Sequence, residues 1–443
     1  MPYIADLHVH SHYSRATSKD LNLESLYQWA QIKGIDAVGT GDFTHPQWFQ
    51  ELQAQLVPDG SGFFRLKEPP PTLPGLKSQA RDVRFCLTTE ISSIYKHGGS
   101  VRKNHNLLFA PDWETVAKIN ARLATIGKLK ADGRPILGVP SRDLLEIVLE
   151  ASVRAHLIPA HIWTPWFSTL GSKAGYDSIE DCFRDLTPHI FALETGLSSD
   201  PAMNWKLSAL DRYTMISNSD AHSPQKLGRE ANRLDTALTY DAMFEAFKTS
   251  QGFLGTLEFF PEEGKYHWDG HRKCGVCLEP AATQAHQGIC PICGHPLTVG
   301  VLHRVEALAD RVQPQQPSKA ASFEYLIPLP EIISEIKGIG PNSKGVQQQF
   351  RQIISQFGNE FSFLREVPLE DIHKHLGPVY AEAIRRLRQQ EVFPTPGYDG
   401  LYGVVHLFQP GEVKQLSGQP LFSGSSPMQA RHIETAQQPL ATT

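Results

Sequence analysis

Metal-ligating side chains recur at the ends of short apolar, strand-like runs through the first half of this chain. That recurrence limits its fold more than any other feature. The runs are Asp6-Leu7-His8-Val9-His10, Val38-Gly39-Thr40-Gly41-Asp42, Cys86-Leu87-Thr88-Thr89-Glu90, Lys103-Asn104-His105-Asn106, Ile158-Pro159-Ala160-His161, Phe191-Ala192-Leu193-Glu194 and Ser217-Asn218-Ser219-Asp220-Ala221-His222. One such motif arises readily by chance, but a series in the same setting does not. Strand ends on one face of a parallel barrel converge in space. Imidazole and carboxylate ligands gathered there, almost without thiolate, describe a catalytic cluster of divalent cations with open positions.

The spacing within the motifs supports this. Residues two apart on a strand point to the same face, so His8 and His10 can reach one centre, as can Asp220 and His222. A surface pair of histidines is the plainer alternative for His8 and His10, and the other strand-end ligands weigh against it. Glu90 can bridge two cations, because each carboxylate oxygen can hold a separate one. Asp42 is a ligand candidate that could instead cap a turn. Glu194 has the right position but could orient a ligand histidine rather than bind metal. His12, His45, His97, His156 and His189 are read as structural or solvated.

Taken in order, His8-Val9-His10, Gly41-Asp42, Glu90, His105, His161 and Asp220-Ala221-His222 resemble the motifs of the polymerase-and-histidinol-phosphatase (PHP) superfamily of metallophosphoesterases. Longer strings resemble the endonuclease Q family. They are Asp6 to Ser14, Gly39 to Asp42, Pro159 to Trp166 and Ser217 to Pro224, together with a downstream zinc ribbon. The resemblance covers residues 1 to about 405. It implies an α/β fold built on a distorted PHP-type (β/α)7 barrel. It also implies an enzyme that nicks DNA on the 5′ side of deaminated bases (uracil, hypoxanthine, xanthine) or abasic sites. Asp220, His222, His161 and Glu90 are the expected catalytic core. Two or three divalent metals (zinc, manganese or magnesium) are expected on His8, His10, Asp42, Glu90, His105, His161, Glu194, Asp220 and His222.

Composition bounds the rest. At 443 residues, with 40% hydrophobic and 20% charged residues, the chain is long enough for more than one globular domain. No apolar run reaches the roughly 18 residues of a membrane span. Tyr3 to His10 opens on a strand-like segment without a signal-peptide pattern, so secretion is not expected. Of the six cysteines, Cys274, Cys277, Cys290 and Cys293 cluster, while Cys86 and Cys182 stand alone. That is a metal site plus two buried thiols, not a disulfide framework, and it suits a reducing cytoplasm. A cytoplasmic, nucleoid-associated enzyme is the expectation. The net charge of −5 counts against nucleic-acid binding, so any phosphate-binding surface must be a local patch.

Strand–helix alternation from residue 1 to about 250 argues for the barrel. Within it, a helix is expected over Leu23 to Lys33, stopping at Gly34, and another from an N-cap at Ser141 to about Ala155. Irregular insertions are expected at 57 to 82 and 163 to 180. Residues 251 to 317 hold the cysteines, as Cys-x-x-Cys, twelve residues, then Cys-x-x-Cys, and end in a Gln-Pro linker. The four cysteines are expected to hold one structural zinc, with His271, His286 and His295 as less favoured substitutes. Helices return from 318 to about 405, and residues 410 to 443 read as a disordered tail.

Ile336 to Lys344 resembles the hairpin of helix-hairpin-helix DNA-binding elements. Gly338 and Gly340 would let the backbone approach a phosphate flanked by Lys337 and Lys344. An ordinary Gly-Pro turn between helices is an equal alternative. Arg15, Lys19, Arg229 and Arg233 flank expected ligands and are candidates for backbone-phosphate contacts. Trp163, Trp166 and Phe167 follow His161 and could stack on an extruded base or form a buried wall. DNA carrying deaminated bases or abasic sites is the expected partner, with no membrane. Two other functions compete. A small-molecule phosphoesterase would share the metal cluster without needing the ribbon or hairpin, and a non-enzymatic nucleic-acid scaffold would need the ligands to be vestigial.

Overall fold

The computed structural model describes residues 2–73 and 82–418. Its centre is a mixed sheet. Strands β1 (Tyr3–Asp6), β2 (Ala37–Gly39) and β3 (Arg84–His97) run parallel, with Ala5 opposite Ala37 and Val38 opposite Phe85. Strand β4 (Ser100–Ala110) folds straight back on β3, and β5 (His156–Pro159) runs antiparallel to β4. Strands β6 (Ala192–Glu194) and β7 (Thr214–Ile216) form a separate parallel pair. On the other side of β1 lie β8 (Ala231–Leu234) and then β9 (Phe253–Glu258), each antiparallel to its neighbour. A small hairpin, β10 (Asp269–His271) with β11 (Val276–Leu278), follows before β12 (Ser322–Tyr325) returns to pair with β9.

The strands expected to run parallel around the distorted barrel are therefore corrected to a mixed set, with antiparallel pairs among them. For β3 and β4 the cause is local. Gly98 and Gly99 take φ of 58° and 77°, a backbone that glycine adopts freely, and they close a tight reversal in which His97 pairs with Ser100. A chain that reverses in two residues must continue antiparallel, since a parallel neighbour needs a long crossover. The boundary expected near 250 also moves. β9 and β12 are strands of the central sheet, so the cysteine-bearing hairpin is an excursion between them.

Helix α1 spans Leu23–Lys33, as the sequence predicts. The Asn22 side chain accepts from the Ser25 N–H at its start, and Gly34 ends it at φ 92°. Leu23, Leu26 and Ala30 are fully buried, so spacing of three and four seats one face on the core. Helix α2 spans Ser141–Ala151, shorter than expected, and Ser141 is its first residue rather than its cap. Asn106 donates to the Ser141 hydroxyl at 3.1 Å, which ties up that side chain. The 57-to-82 insertion contains a short hairpin, Leu56–Pro58 with Phe64–Leu66, and residues 74–81 lie outside the described residues.

The C-terminal region is helical: α3 (Leu329–Lys337), α4 (Lys344–Phe357), α5 (Glu360–Arg365), α6 (Leu369–Leu376) and α7 (Pro378–Gln389). Gly338, Gly358 and Gly377, all at positive φ, separate them where the sequence places turns. Two contacts fasten this region to the sheet. Lys33 on α1 meets Glu360 at 2.6 Å in a fully buried pair, and Glu324 on β12 is shared by Arg233 and Arg365. Residues Glu412–Leu416 form a further helical turn, with Glu412 paired to Arg386. Residues 411–418, in the stretch expected to be disordered, thus include a helical turn, and residues 419–443 lie outside the described residues.

Candidate metal centre

Loops leaving β1, β5, β6 and β7 meet the β3–β4 hairpin at one end of the sheet, and the ligand side chains converge there. Glu90 is at the centre, buried. Its Oε1 lies 2.5 Å from His105 Nδ1 and 3.1 Å from His161 Nε2. Its Oε2 faces the other way, 3.4 Å from His10 Nε2 and 3.6 Å from His8 Nε2. Asp220 Oδ1 completes that side, 3.0 Å from His10 Nε2 and 3.5 Å from His8 Nε2. Two candidate metal groups result, sharing Glu90: His8, His10, Glu90 and Asp220 on one side, and Glu90, His105 and His161 on the other.

The residues fit cations. Ligands about 2.1 Å from a divalent ion stand roughly 3–4 Å from one another, and apart from the closer Glu90–His105 contact the separations are 3.0–3.6 Å. His8 Nε2 is buried without a hydrogen-bond partner, a costly state that a cation relieves. The His105 and His161 nitrogens approach to 3.2 Å beside one carboxylate oxygen.

The electrostatics follow from burial and crowding. Burial works to raise the Glu90 carboxyl, but His105, Arg134 and His8 outweigh it and hold Glu90 well below the usual carboxylate range. Burial opposes charge on His10, yet Asp220 and Asp42 raise it to about 9. Burial pushes His105 down to about 4, against the pull of Glu90. Asp42, His161 and Asp220 all sit in left-handed backbone, at φ of 51°, 27° and 46°.

Three expected ligands stand beside these groups rather than in them. Asp42 lies behind His10. Its Oδ1 is 3.2 Å from His10 Nδ1, and its Oδ2 accepts from the Ser11 N–H and hydroxyl, both at 2.7 Å, and from the Ser14 hydroxyl at 2.8 Å. Glu194 lies behind His8 in the same way, 3.0 Å from its Nδ1, and also accepts from the His161 N–H and the Asn218 amide, each at 2.9 Å. These carboxylates fix the rings so that each Nε2 faces the centre. His222 is at the rim, part-exposed, its Nδ1 2.8 Å from the Asp220 carbonyl and its ring 4.6 Å from that of His10.

Arg134 was not visible as a site residue in the sequence. Its guanidinium donates to Glu90 Oε2 at 3.0 Å, and no local spacing connects residue 134 with residue 90. Ser11, Ser14 and Asn218 were missed for the same reason. His12 and His45, read as structural, lie outside both groups and pack on Tyr13.

Comparison with known proteins decides the family. A profile described as the MJ0043 C-terminal domain matches residues 328–391. The protein MJ0043 of Methanocaldococcus jannaschii is 32% identical over 260 residues, 57% of this chain and 32% of that protein. The chain thus spans about a third of the length of that relative. The lesion-specific endonuclease PfuEndoQ from Pyrococcus furiosus superposes with a TM-score of 0.80 at 30% identity, over 95% of this chain and 100% of that one. The chain belongs to the endonuclease Q family. A structure of endonuclease Q with a 27-mer duplex carrying an abasic lesion at the active site matches equally, with a TM-score of 0.80, 31% identity, and 93% and 98% of the two chains.

The remaining candidate residues are distributed as follows. Trp163 is fully buried, donating to Asn204 Oδ1 at 2.8 Å, so it is core and not a stacking surface. Trp166 is exposed at 39%, edge-on to Tyr266 at 5.4 Å. Phe167 lies against His105, ring centroids 4.7 Å apart. Arg15 is exposed and pairs with Asp132, and Lys19 is exposed. Arg229 donates inward to the Ser219 carbonyl at 2.8 Å, bracing the Asp220 loop, and Arg233 is committed to Glu324. Arg233 is thus tied to an acidic partner, whereas among the described residues Arg229 is bonded through one guanidinium nitrogen only. Lys337, Gly338, Gly340 and Lys344 lie exposed at the α3–α4 turn, with open space around both glycines.

Downstream, His271, Cys274, Cys290 and Cys293 bring their ligand atoms within 4.8 Å of one another. Cys277, expected in the set, is outside it, and His271 stands in its place. Cys86 and Cys182 are buried thiols, as expected. Among the described residues, no helix is long and apolar enough to cross a membrane.

Proposed function

We propose that this chain is a metal-dependent endonuclease that hydrolyses the phosphodiester 5′ to deaminated bases (uracil, hypoxanthine or xanthine) or abasic sites in DNA. It would use two or three divalent metals at the Glu90 centre and carry one structural zinc downstream. The observation that carries this reading is the division of Glu90, one oxygen toward His105 and His161 and the other toward His8, His10 and Asp220. Divalent cations bound there supply an activated water and neutralise charge on the phosphate.

The protein's own residues do the rest. Asp42 and Glu194 hold Nδ1 of His10 and His8, so that each Nε2 faces the centre and would be the atom to give up its proton to a cation. Arg134 holds the Glu90 carboxylate in the orientation that divides its oxygens. His222 at the rim has Nδ1 occupied and is placed to exchange a proton with a departing oxygen at Nε2. Trp166 offers an exposed face on which a displaced base can stack, and the α3–α4 turn offers a grip on the backbone. The known complex of endonuclease Q with an abasic-site duplex supports DNA as the substrate.

The test is cleavage of end-labelled duplexes carrying uracil, hypoxanthine, xanthine or an abasic site, beside an undamaged duplex, with Mg²⁺, Mn²⁺ or Zn²⁺ and with chelator. Metal-dependent nicking 5′ to the lesion alone is expected. Hydrolysis of a small phosphomonoester without cleavage of any lesion duplex would overturn the proposal.

A further inference from the structure

The downstream cluster sits on the β10–β11 hairpin, and its register decides which side chains meet. His271 lies directly opposite Val276, and Gly270 opposite Cys277. Residues directly opposite on antiparallel strands share a face, and neighbours along a strand take opposite faces. Val276 is buried with Cys290 and Leu297 in the module's small core, against which Cys274 and Leu278 pack. His271 is therefore on the face of Cys274 and Cys290. Cys277 is on the other face, that of Gly270, where an added Cβ would stand 2.4 Å from Tyr398.

Two further observations agree. His271-Arg272-Lys273-Cys274-Gly275 and Cys290-Pro291-Ile292-Cys293-Gly294 have the same form, a ligand, two residues, a cysteine and a glycine. Both glycines are left-handed, Gly275 at φ 66° and Gly294 at φ 71°. Counted this way, 15 residues separate the two pairs, within the span of paired zinc motifs, whereas the 12 residues after Cys277 fall short of it. His271 Nδ1 lies 3.4 Å from Cys293 Sγ. A tetrahedral zinc, with bonds of about 2.3 Å to sulfur and about 2.0 Å to nitrogen, sets those atoms about 3.5 Å apart.

We infer that the structural zinc is held by His271, Cys274, Cys290 and Cys293, and that Cys277 is a free thiol although it belongs to a Cys-x-x-Cys pair. Three thiolates and a neutral imidazole give the site a net charge of −1, where four thiolates would give −2. The exposed knuckle residues Arg272 and Lys273 then keep more of their positive field. This inference is independent of the nuclease reading.

Cobalt substitution of the full-length protein tests it, because thiolate-to-cobalt absorption reports this site and not the cysteine-free Glu90 centre. Cys277→Ser should leave that band unchanged. His271→Cys should raise it by about a third, the ratio of four thiolates to three. His271→Ala should release cobalt to chelator faster than the parent protein. In the zinc-loaded protein, iodoacetamide should label Cys277, with Cys274, Cys290 and Cys293 reacting only after chelation. A band lowered by Cys277→Ser, or Cys277 protected from alkylation by zinc, would overturn the assignment.

Discussion

The two metal sites are built on opposite principles. The Glu90 centre draws its ligands from His8 to Asp220, each at a sheet end backed by a large buried core. The downstream site draws on residues 271 to 293, and the core behind it is only Val276, Cys290 and Leu297. On the proposed reading, the first is a fold that can bind metal, and the second is a fold that metal would make. Burial of a large apolar surface can hold charged ligands in place without their ion, whereas a segment this small gains its folding free energy from coordination.

The strongest way to break this comparison is Glu90→Gln. One substitution should disable both halves of the upstream centre, lowering single-turnover cleavage about 10³-fold or more. Elemental analysis should show the upstream metals depleted while the downstream ion and the melting temperature hold. A collapse of the whole fold would mean that the upstream site, too, is made by its metal.

Cys290→Ser is the reciprocal test. Limited proteolysis should open residues near 267 to 305 while the upstream metals remain bound. Retention of the downstream ion, with unchanged proteolysis, would erase the distinction.

A smaller effect separates Trp166 from Trp163. Trp166→Ala should slow cleavage at uracil and hypoxanthine roughly tenfold, within the 1–3 kcal/mol of one base stack, and spare the abasic duplex. Trp163→Ala should instead lower stability by about 3–5 kcal/mol and affect every substrate alike. Equal losses on all duplexes from Trp166→Ala would remove it from base recognition.

The smallest effect concerns two carboxyls behind the upstream centre. Glu230 and Glu258 both accept from the Ser217 hydroxyl, at 3.0 and 2.9 Å. Burial raises both well above 4.5, reinforced by the charge of Glu258 on Glu230 and of Asp200 on Glu258. A carboxyl raised on folding gives stability that is whole below its unfolded value and is lost as pH climbs through its folded value. Glu258→Gln, which does not ionise, should therefore gain on the parent protein by about 1 kcal/mol at alkaline pH and show no advantage near pH 4. Thermal unfolding across that range checks it, and a gain confined to acid pH would reverse the sign.

Six ligand candidates that strand spacing aims at one centre do converge there: His8, His10, Glu90, His105, His161 and Asp220. Asp42 and Glu194, also expected as ligands, stand behind His10 and His8. Whether a carboxylate faces a cation or the back of an imidazole depends on strands that the local sequence does not relate. Cys277 lies outside the cluster of His271, Cys274, Cys290 and Cys293 because a Cys-x-x-Cys pair is counted along the chain, while side chains meet according to the face of a hairpin strand only three residues long. Trp163 and Trp166 lie in an irregular segment with no period to separate buried from exposed. The expected parallel direction fails where Gly98-Gly99 turns what reads as two successive strands into a hairpin, and again where β8 and β9 pair antiparallel beside β1.

Asp42, His161 and Asp220 hold left-handed backbone, which costs a non-glycine residue of order 1–3 kcal/mol. Glycine at His161 or Asp220 would relax the backbone there while removing the group the chemistry uses, whereas at Asp42 it would also leave the buried Ser11 and Ser14 donors unpaired. Selection for durability and selection for turnover therefore pull in opposite directions at His161 and Asp220. A laboratory screen that rewards thermal survival alone should drift toward glycine there, and its winners should be stable proteins that no longer cut.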